Sequence, residues 1–384
     1  MACADEGRRD HEPAQPKRGS LGVANGALRL AGDRRSMMKA VVSTRYGSPD
    51  VLEIRQVPKP QPKAGEVLVK VHATTVSRTD CGILRARPFV VRFFMGLRRP
   101  KRTILGMDFA GEVEAVGAGV ASFMPGDRVF GMSPEGFGAH AEYLCVSETG
   151  AIAAMPKGAR FDEALVCEGA WYADTDLRAL CVKPGHRILI YGASGAIGTA
   201  AVQLAKSYGA EVTAVVATQH LDLVRFLGAN RAIDYTTQDF TQIGETFDSV
   251  FDAVGKTTFF RCRRLLRPGG VFAATDLGPW WQNPLLAIWS SITRSNRVVF
   301  PLPKDSGGFV DSLKARMEAR QFRAVIDREY PFEAIADAYR YVETGHKTGI
   351  VVINVVPAAQ LTQPQPPSMM SEQEGPKPSR EVKH

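Results

Sequence analysis

The sequence contains no Cys-x-x-Cys pair, and its six cysteines, Cys3, Cys81, Cys145, Cys167, Cys181 and Cys262, are scattered along 384 residues. That spacing argues against a disulfide framework and a cysteine zinc knuckle; it suits a reducing compartment and predicts a cytoplasmic protein. No apolar run is long enough to span a bilayer, and the N-terminus has no apolar signal core, so stable membrane insertion is not expected. Acidic residues are missing between Arg85 and Arg102. There Arg85, Arg87, Arg92, Arg98, Arg99, Lys101 and Arg102 account for most of the net charge of +8, with Phe89, Phe93, Phe94, Met95 and Leu97 between them. Such a segment contacts nucleic acid, anionic lipid or a cofactor phosphate, or is a solvated loop or helix with one buried apolar face.

Against those absences stands one dense motif, Arg187–Gly198 (RILIYGASGAIG), followed by TAAVQLAK to Lys206. It reads as an apolar strand, a glycine turn and an amphipathic helix. Gly192, Gly195 and Gly198 permit positive φ and let a pyrophosphate approach the first helical N–H groups. Glu211–Val216 (EVTAVV) follows as a second strand and completes a βαβ unit. The turn residues Gly192, Ala193, Ser194, Gly195, Ala196, Ile197 and Gly198 are therefore expected to bind a dinucleotide.

The length suits two domains. From Met38 to about Lys157 the chain alternates as strands at Glu66–His72, Ala110–Val116 and His140–Val146, punctuated by Pro and Gly. From about Asp162 to Pro303 strands alternate with helical patterns, which predicts a parallel sheet. There Phe247–Phe251 reads as a strand, Thr258–Leu266 as a helix and Gly270–Thr275 as the next strand. A helix from Ser306 to Arg320, a strand near Val325, a helix over Glu333–Glu343 and a last strand over Gly349–Val355 complete the pattern. Residues 1–36 are polar and read as a disordered arm, or as a segment ahead of a start at Met37 or Met38. The tail, 357–384, has too little apolar surface to order itself.

The stretches Ile104–Gly117 (ILGMDFAGEVEAVG), Pro125–Gly131 (PGDRVFG), the glycine turn and Asp252–Gly255 (DAVG) together resemble the medium-chain dehydrogenase/reductase superfamily, in its zinc-independent quinone oxidoreductase branch. The similarity runs from about Lys39 to Val355. It implies a GroES-like β domain with a Rossmann doubly wound domain inserted before its last elements, an active site in the cleft between them, and a homodimer. The implied divisions are 37–163 and 304–356 for the catalytic domain and 164–303 for the NADPH-binding domain.

Zinc-dependent relatives carry Cys-x-Thr-Asp and Gly-His-Glu segments. This chain has Ser77-Arg78-Thr79-Asp80 and Gly106-Met107-Asp108 in their place. Serine and methionine are poor zinc ligands beside thiolate and imidazole, and Cys167, at the third position, cannot hold zinc alone. Without a metal to stabilise an alkoxide, hydride transfer favours quinones or α,β-unsaturated carbonyls, whose charge is spread by conjugation.

Thr79 falls where relatives place a hydroxyl proton relay, and Tyr46 resembles a tyrosine that some members present to the cleft. These are the catalytic candidates. Arg78 is a candidate for the cofactor pyrophosphate, Val254 for the cofactor cleft, and Lys347 lies in a turn that members direct toward the cofactor. The second Rossmann strand ends at Val216-Ala217-Thr218-Gln219-His220 with no acid, which favours NADPH over NADH, with Thr218, His220 and Tyr235 near the 2′-phosphate. Gly278–Trp289 is an unusually apolar loop and helix suited to the cleft, a dimer contact, a membrane carrying a lipid quinone, or ordinary packing. The expected function is NADPH-dependent reduction of a quinone or enone. The alternatives are an alcohol or aldehyde dehydrogenase of the same superfamily with a residual metal site, or a cofactor-binding protein that contacts RNA through Arg85–Arg102.

Overall fold

A computed structural model describes residues 37–293, 297–304 and 307–356. The expected disordered arm, 1–36, and tail, 357–384, lie outside the described residues. Strand β1 (Met37–Val42) pairs antiparallel with β2 (Glu53–Pro58) as a two-stranded ribbon. Next comes β3 (Glu66–Val76), whose unbroken Val- and Thr-rich stretch is buried at most positions because both of its edges are paired. Helix α1 (Arg78–Arg85) opens at a capping box. The Ser77 hydroxyl accepts the Asp80 N–H at 3.1 Å, and the Asp80 carboxylate accepts the Ser77 N–H at 2.9 Å. A short helix, α2 (Val91–Met95), follows, then β4 (Asp108–Val116), β5 (Arg128–Met132), β6 (Tyr143–Ser147) and β7 (Ile152–Ala154).

The second sheet is built from alternating elements. They are α3 (Cys167–Ala179), β8 (Arg187–Tyr191), α4 (Ala196–Ser207), β9 (Glu211–Val216), α5 (Leu221–Phe226) and β10 (Arg231–Asp234). The run continues through β11 (Phe247–Asp252), α6 (Phe259–Cys262), β12 (Leu266–Ala274), α7 (Gln282–Thr293) and β13 (Arg297–Val299). All six strands are parallel, in the order β10-β9-β8-β11-β12-β13. The order reverses between β8 and β11, which is the switch point where doubly wound sheets bind ligands.

The chain then forms α8 (Gly307–Glu318), β14 (Ile326–Pro331), α9 (Ile335–Glu343) and β15 (Ile350–Asn354). β15 pairs antiparallel with β3, so the first large sheet reads β14-β15-β3-β4-β5-β7, with β6 also on β3. The chain therefore leaves this sheet, builds the parallel one and returns. One expected element differs. The helix over Thr258–Leu266 stops at Cys262, passes through a 3-10 turn at Arg263–Leu265, and is already strand at Leu266. Pro268 disfavours helical backbone at Arg267, and parallel pairing with β11 draws the chain into β12.

Candidate active site

The glycine turn follows β8 at the switch point. Gly192 has φ +74°, and a Cβ there would collide with the Val254 side chain; a Cβ on Gly198 would collide with the Gly192 carbonyl. Strand, turn and helix thus approach one another at distances only glycine permits, and Val254 lies against the turn. Helix α4 starts at Gly195, which supplies no side-chain cap. The N–H groups of its first turn, Ala196, Ile197 and Gly198, therefore have no carbonyl partner within the helix and offer a positive dipole end to an anion. Ala193 is fully buried and anchors the turn. These residues fit a dinucleotide pyrophosphate.

Beside the end of β9 lies an acid of β10 that the local sequence does not show. The Thr218 hydroxyl donates to the Asp234 carboxylate at 2.6 Å, and Asp234 pairs with Val216 across the parallel strands. Hydroxyls of Thr218 and Thr236 hold the Asp234 carboxyl below its ordinary range, so it stays ionised. His220 sits 3.5 Å from the Thr348 hydroxyl; burial lowers its pKa, against the opposing pull of Asp327. Tyr235 is largely exposed beside Tyr191, with ring centroids 6.1 Å apart.

The return strand closes the site from the other side. Gly349 donates its N–H to the Ser194 carbonyl at 2.8 Å, and Gly195 bridges Gly349 in parallel fashion. This contact sets Lys347 beside the glycine turn, its Nζ donating to the Gly349 carbonyl at 2.6 Å. Burial pushes the Lys347 pKa down to about 8, opposed by Glu168 and Asp327. Glu168, in the first turn of α3, is itself buried, and desolvation followed by Asp80 raises it to about 7. The Thr79 and Ser77 hydroxyls and the Lys347 charge act the other way. The Tyr172 phenol is pushed up to about 12 by burial and by Glu168, with the nearby Thr79 hydroxyl acting the other way.

Two further carboxyls line the floor. Asp80 is fully buried, accepting the Gly106 N–H at 3.0 Å, and desolvation raises it to about 6. Asp108 accepts the Glu168 N–H at 2.8 Å and is raised well above its usual value by desolvation and then by Glu168. The fold thus brings Thr79, Glu168, Tyr172 and Lys347 together. Sequence reasoning missed Glu168 and Tyr172, although a glutamate next to Cys167 at a buried helix start is a visible signal.

Arg78 lies at the same edge, exposed, with its guanidinium 3.4 Å from the Glu343 carbonyl. Tyr46 does not join the cluster. Its hydroxyl donates to the Gly96 carbonyl at 2.7 Å, and the Arg92 guanidinium stacks 4.8 Å from its ring centroid. It acts as a tether for the 86–102 segment, because that hydrogen bond and stack occupy both its polar and aromatic faces.

The donors do not suit zinc. Ser77 is committed to the capping box, Met107 is buried, and burial followed by Asp108 raises the Cys167 thiol well above its ordinary value. Among the described residues no group of three or more His, Cys, Asp or Glu side chains is arranged to hold a metal ion.

A Rossmann switch point with an uncapped helix start, beside a buried cluster of titratable side chains, is the arrangement of a nicotinamide-dependent oxidoreductase. An alcohol dehydrogenase GroES-like domain matches residues 63–157, and a zinc-binding dehydrogenase domain matches 227–353. The chain belongs to the medium-chain dehydrogenase/reductase superfamily, in its quinone oxidoreductase-like branch. It is 32% identical over 337 residues to the chloroplastic NADPH-dependent alkenal/one oxidoreductase of Arabidopsis thaliana, covering 83% of this chain and 80% of that protein. It is also 32% identical over 339 residues to the 2-methylene-furan-3-one reductase of Solanum lycopersicum, covering 84% and 80%. The solved quinone oxidoreductase from Coxiella burnetii superposes with a TM-score of 0.74 at 27% identity, covering 83% of this chain and all of that one.

Proposed function

We propose that the protein is an NADPH-dependent reductase of quinones or α,β-unsaturated carbonyls that needs no zinc. The observation that carries this reading is the Gly349–Ser194 clamp, which sets Lys347 against the dinucleotide turn with Glu168 and Thr79 in the same cleft. The bound cofactor supplies a hydride from its nicotinamide C4. The protein's own work is to orient the acceptor, exclude water and deliver one proton per hydride. Thr79 donates its hydroxyl proton to the reduced acceptor and regains one from Glu168, which is half-protonated near neutrality; Lys347 resupplies Glu168. Hydrogen bonds suffice because a conjugated acceptor disperses the incoming charge.

NADPH is preferred to NADH, a reading supported by the acid-free run Val216–His220 and by His220 and Tyr235 nearby, with Asp234 opposing it. Arg78 contacts the pyrophosphate. Residues 37–163 and 304–356 form the catalytic domain and 164–303 the cofactor domain, in keeping with the membership of the two large sheets. A homodimer is supported by the open edge of the parallel sheet at β13 and by the exposed Leu285, Ile288, Trp289 and Ile292 of the neighbouring α7. Free cysteines at Cys81, Cys145, Cys167, Cys181 and Cys262 support a cytoplasmic location. No described helix is long and apolar enough to cross a membrane.

NADPH oxidation in metal-free buffer, with several quinones, an enone and a saturated ketone as acceptors, tests the function. Turnover of the conjugated acceptors alone is expected. Turnover of the saturated ketone that is lost on chelation would replace this reading with a metal-dependent alcohol dehydrogenase.

A further inference from the structure

The segment between α1 and β4 turns outward what a soluble surface normally hides. Only Val91 and Met95 of α2 pack, half-buried, against the core, and no residue of that helix is fully buried. Phe93 and Phe94 are 66% and 76% exposed, and Phe89 and Leu97 are also largely in solvent. Two of the cations between them are partnered and the rest are not. Arg85 is held by Glu343 through two hydrogen bonds of 2.6 and 2.7 Å, and Arg92 is occupied by the Leu97 carbonyl and the Tyr46 ring. Arg87, Arg98, Arg99, Lys101 and Arg102 are exposed and make no ion pair among the described residues. From Cys81 to Met107 the chain contains no acid.

We propose that residues 86–102 dock on the surface of an anionic phospholipid bilayer, Phe93, Phe94 and Leu97 entering the headgroup–acyl boundary while Arg98, Arg99, Lys101 and Arg102 pair with lipid phosphates. The charge of the segment is complementary to such a surface, and its apolar side chains have no other cover among the described residues. Stacking on nucleic-acid bases suits it less. Phe89 already meets the edge of Phe93, ring centroids 5.9 Å apart, and Arg92 lies over its face, so no open row of ring faces is presented. The association is peripheral, since α2 has five residues. It is also close to the site: α1 leads from Thr79 to this surface over about 12 Å at the helical rise. The proposal does not depend on which acceptor is reduced.

The test is co-flotation of the full-length protein with vesicles of phosphatidylcholine alone or mixed with phosphatidylglycerol. Binding is expected only with phosphatidylglycerol, and it should fall as salt rises. Arg98→Gln/Arg99→Gln, at two exposed positions, should weaken it by roughly 10–30-fold. Phe93→Ser/Phe94→Ser should weaken it at least about tenfold. Both variants should keep wild-type NADPH oxidation with a water-soluble quinone, which verifies their folding. If the phenylalanine variant does not fold, the arginine variant decides alone. Absence of binding to the anionic vesicles at low salt would overturn the proposal. So would vesicle binding that neither substitution changes, or binding of single-stranded RNA without binding of vesicles.

Discussion

The carboxylate of Asp234 accepts the hydroxyl of Thr218 at 2.6 Å, across two neighbouring parallel strands. A negative charge therefore faces the region where a 2′-phosphate would bind, and His220, on the same turn as Thr218, is a base that burial holds toward its neutral form. NADPH should bind at least about tenfold tighter than NADH, and equal dissociation constants would remove the preference. Asp234→Asn should widen the ratio by roughly 3–10-fold, because a screened like charge at that range contributes about 1 kcal/mol. Burial keeps His220 largely neutral at pH 7. Acidification below its ordinary value should charge it and tighten NADPH relative to NADH. His220→Ala should abolish that pH response, as read by titration of both cofactors.

Glu168 and Thr79 should govern the proton step. Only protonated Glu168 can refill the Thr79 hydroxyl, so kcat should fall as pH rises through about 7. Glu168→Gln should lower kcat by roughly 100-fold and flatten that limb while leaving the KM for NADPH in place. Thr79→Val should behave alike, and Thr79→Ser should retain most activity. A pH profile that Glu168→Gln leaves unchanged would exclude the relay.

Buried acids make stability depend on pH. Asp176 in α3 is 4% exposed, its Oδ1 has no hydrogen-bond partner among the described residues, and desolvation raises it to about 8. The folded state therefore binds the proton more tightly than the unfolded chain does. Stability from this group is complete below the ordinary carboxyl range and is lost progressively as pH rises toward 8. Asp80 and Glu168, raised to about 6 and about 7, act in the same direction. Tm should decline between pH 5 and pH 8, a range set by those values. Asp176→Asn should raise stability at the upper end by roughly 2 kcal/mol, since the amide needs no protonation.

Prolonged chelation should leave enone reduction unchanged. The zinc positions of relatives hold a capped serine hydroxyl, a buried methionine and a thiol that burial keeps protonated. Metal analysis of the active protein by mass spectrometry should find less than stoichiometric zinc; loss of activity with the metal would contradict this.

The local physics of the chain is enough for the dinucleotide half of the protein. Strand β8, the Gly192–Gly198 turn and helix α4 are contiguous, and their periodicity and glycine spacing carry the geometry without help from distant residues. The serine and methionine at the zinc positions are likewise legible one residue at a time. What depends on tertiary structure is which side chains meet. Asp234 reaches Thr218 only because β10 pairs in register with β9. Lys347 comes under the influence of Glu168 only because the chain, after the whole parallel sheet, returns to pair β15 with β3 and clamps Gly349 on Ser194. Tyr46 meets the Gly96 carbonyl only because the fold of 86–102 brings that carbonyl within reach of its hydroxyl. Periodicity describes neighbours along the chain. The pKa of Glu168 or the partner of Tyr46 is set by desolvation and contact with segments far away in sequence, and those exist only once the sheets have closed.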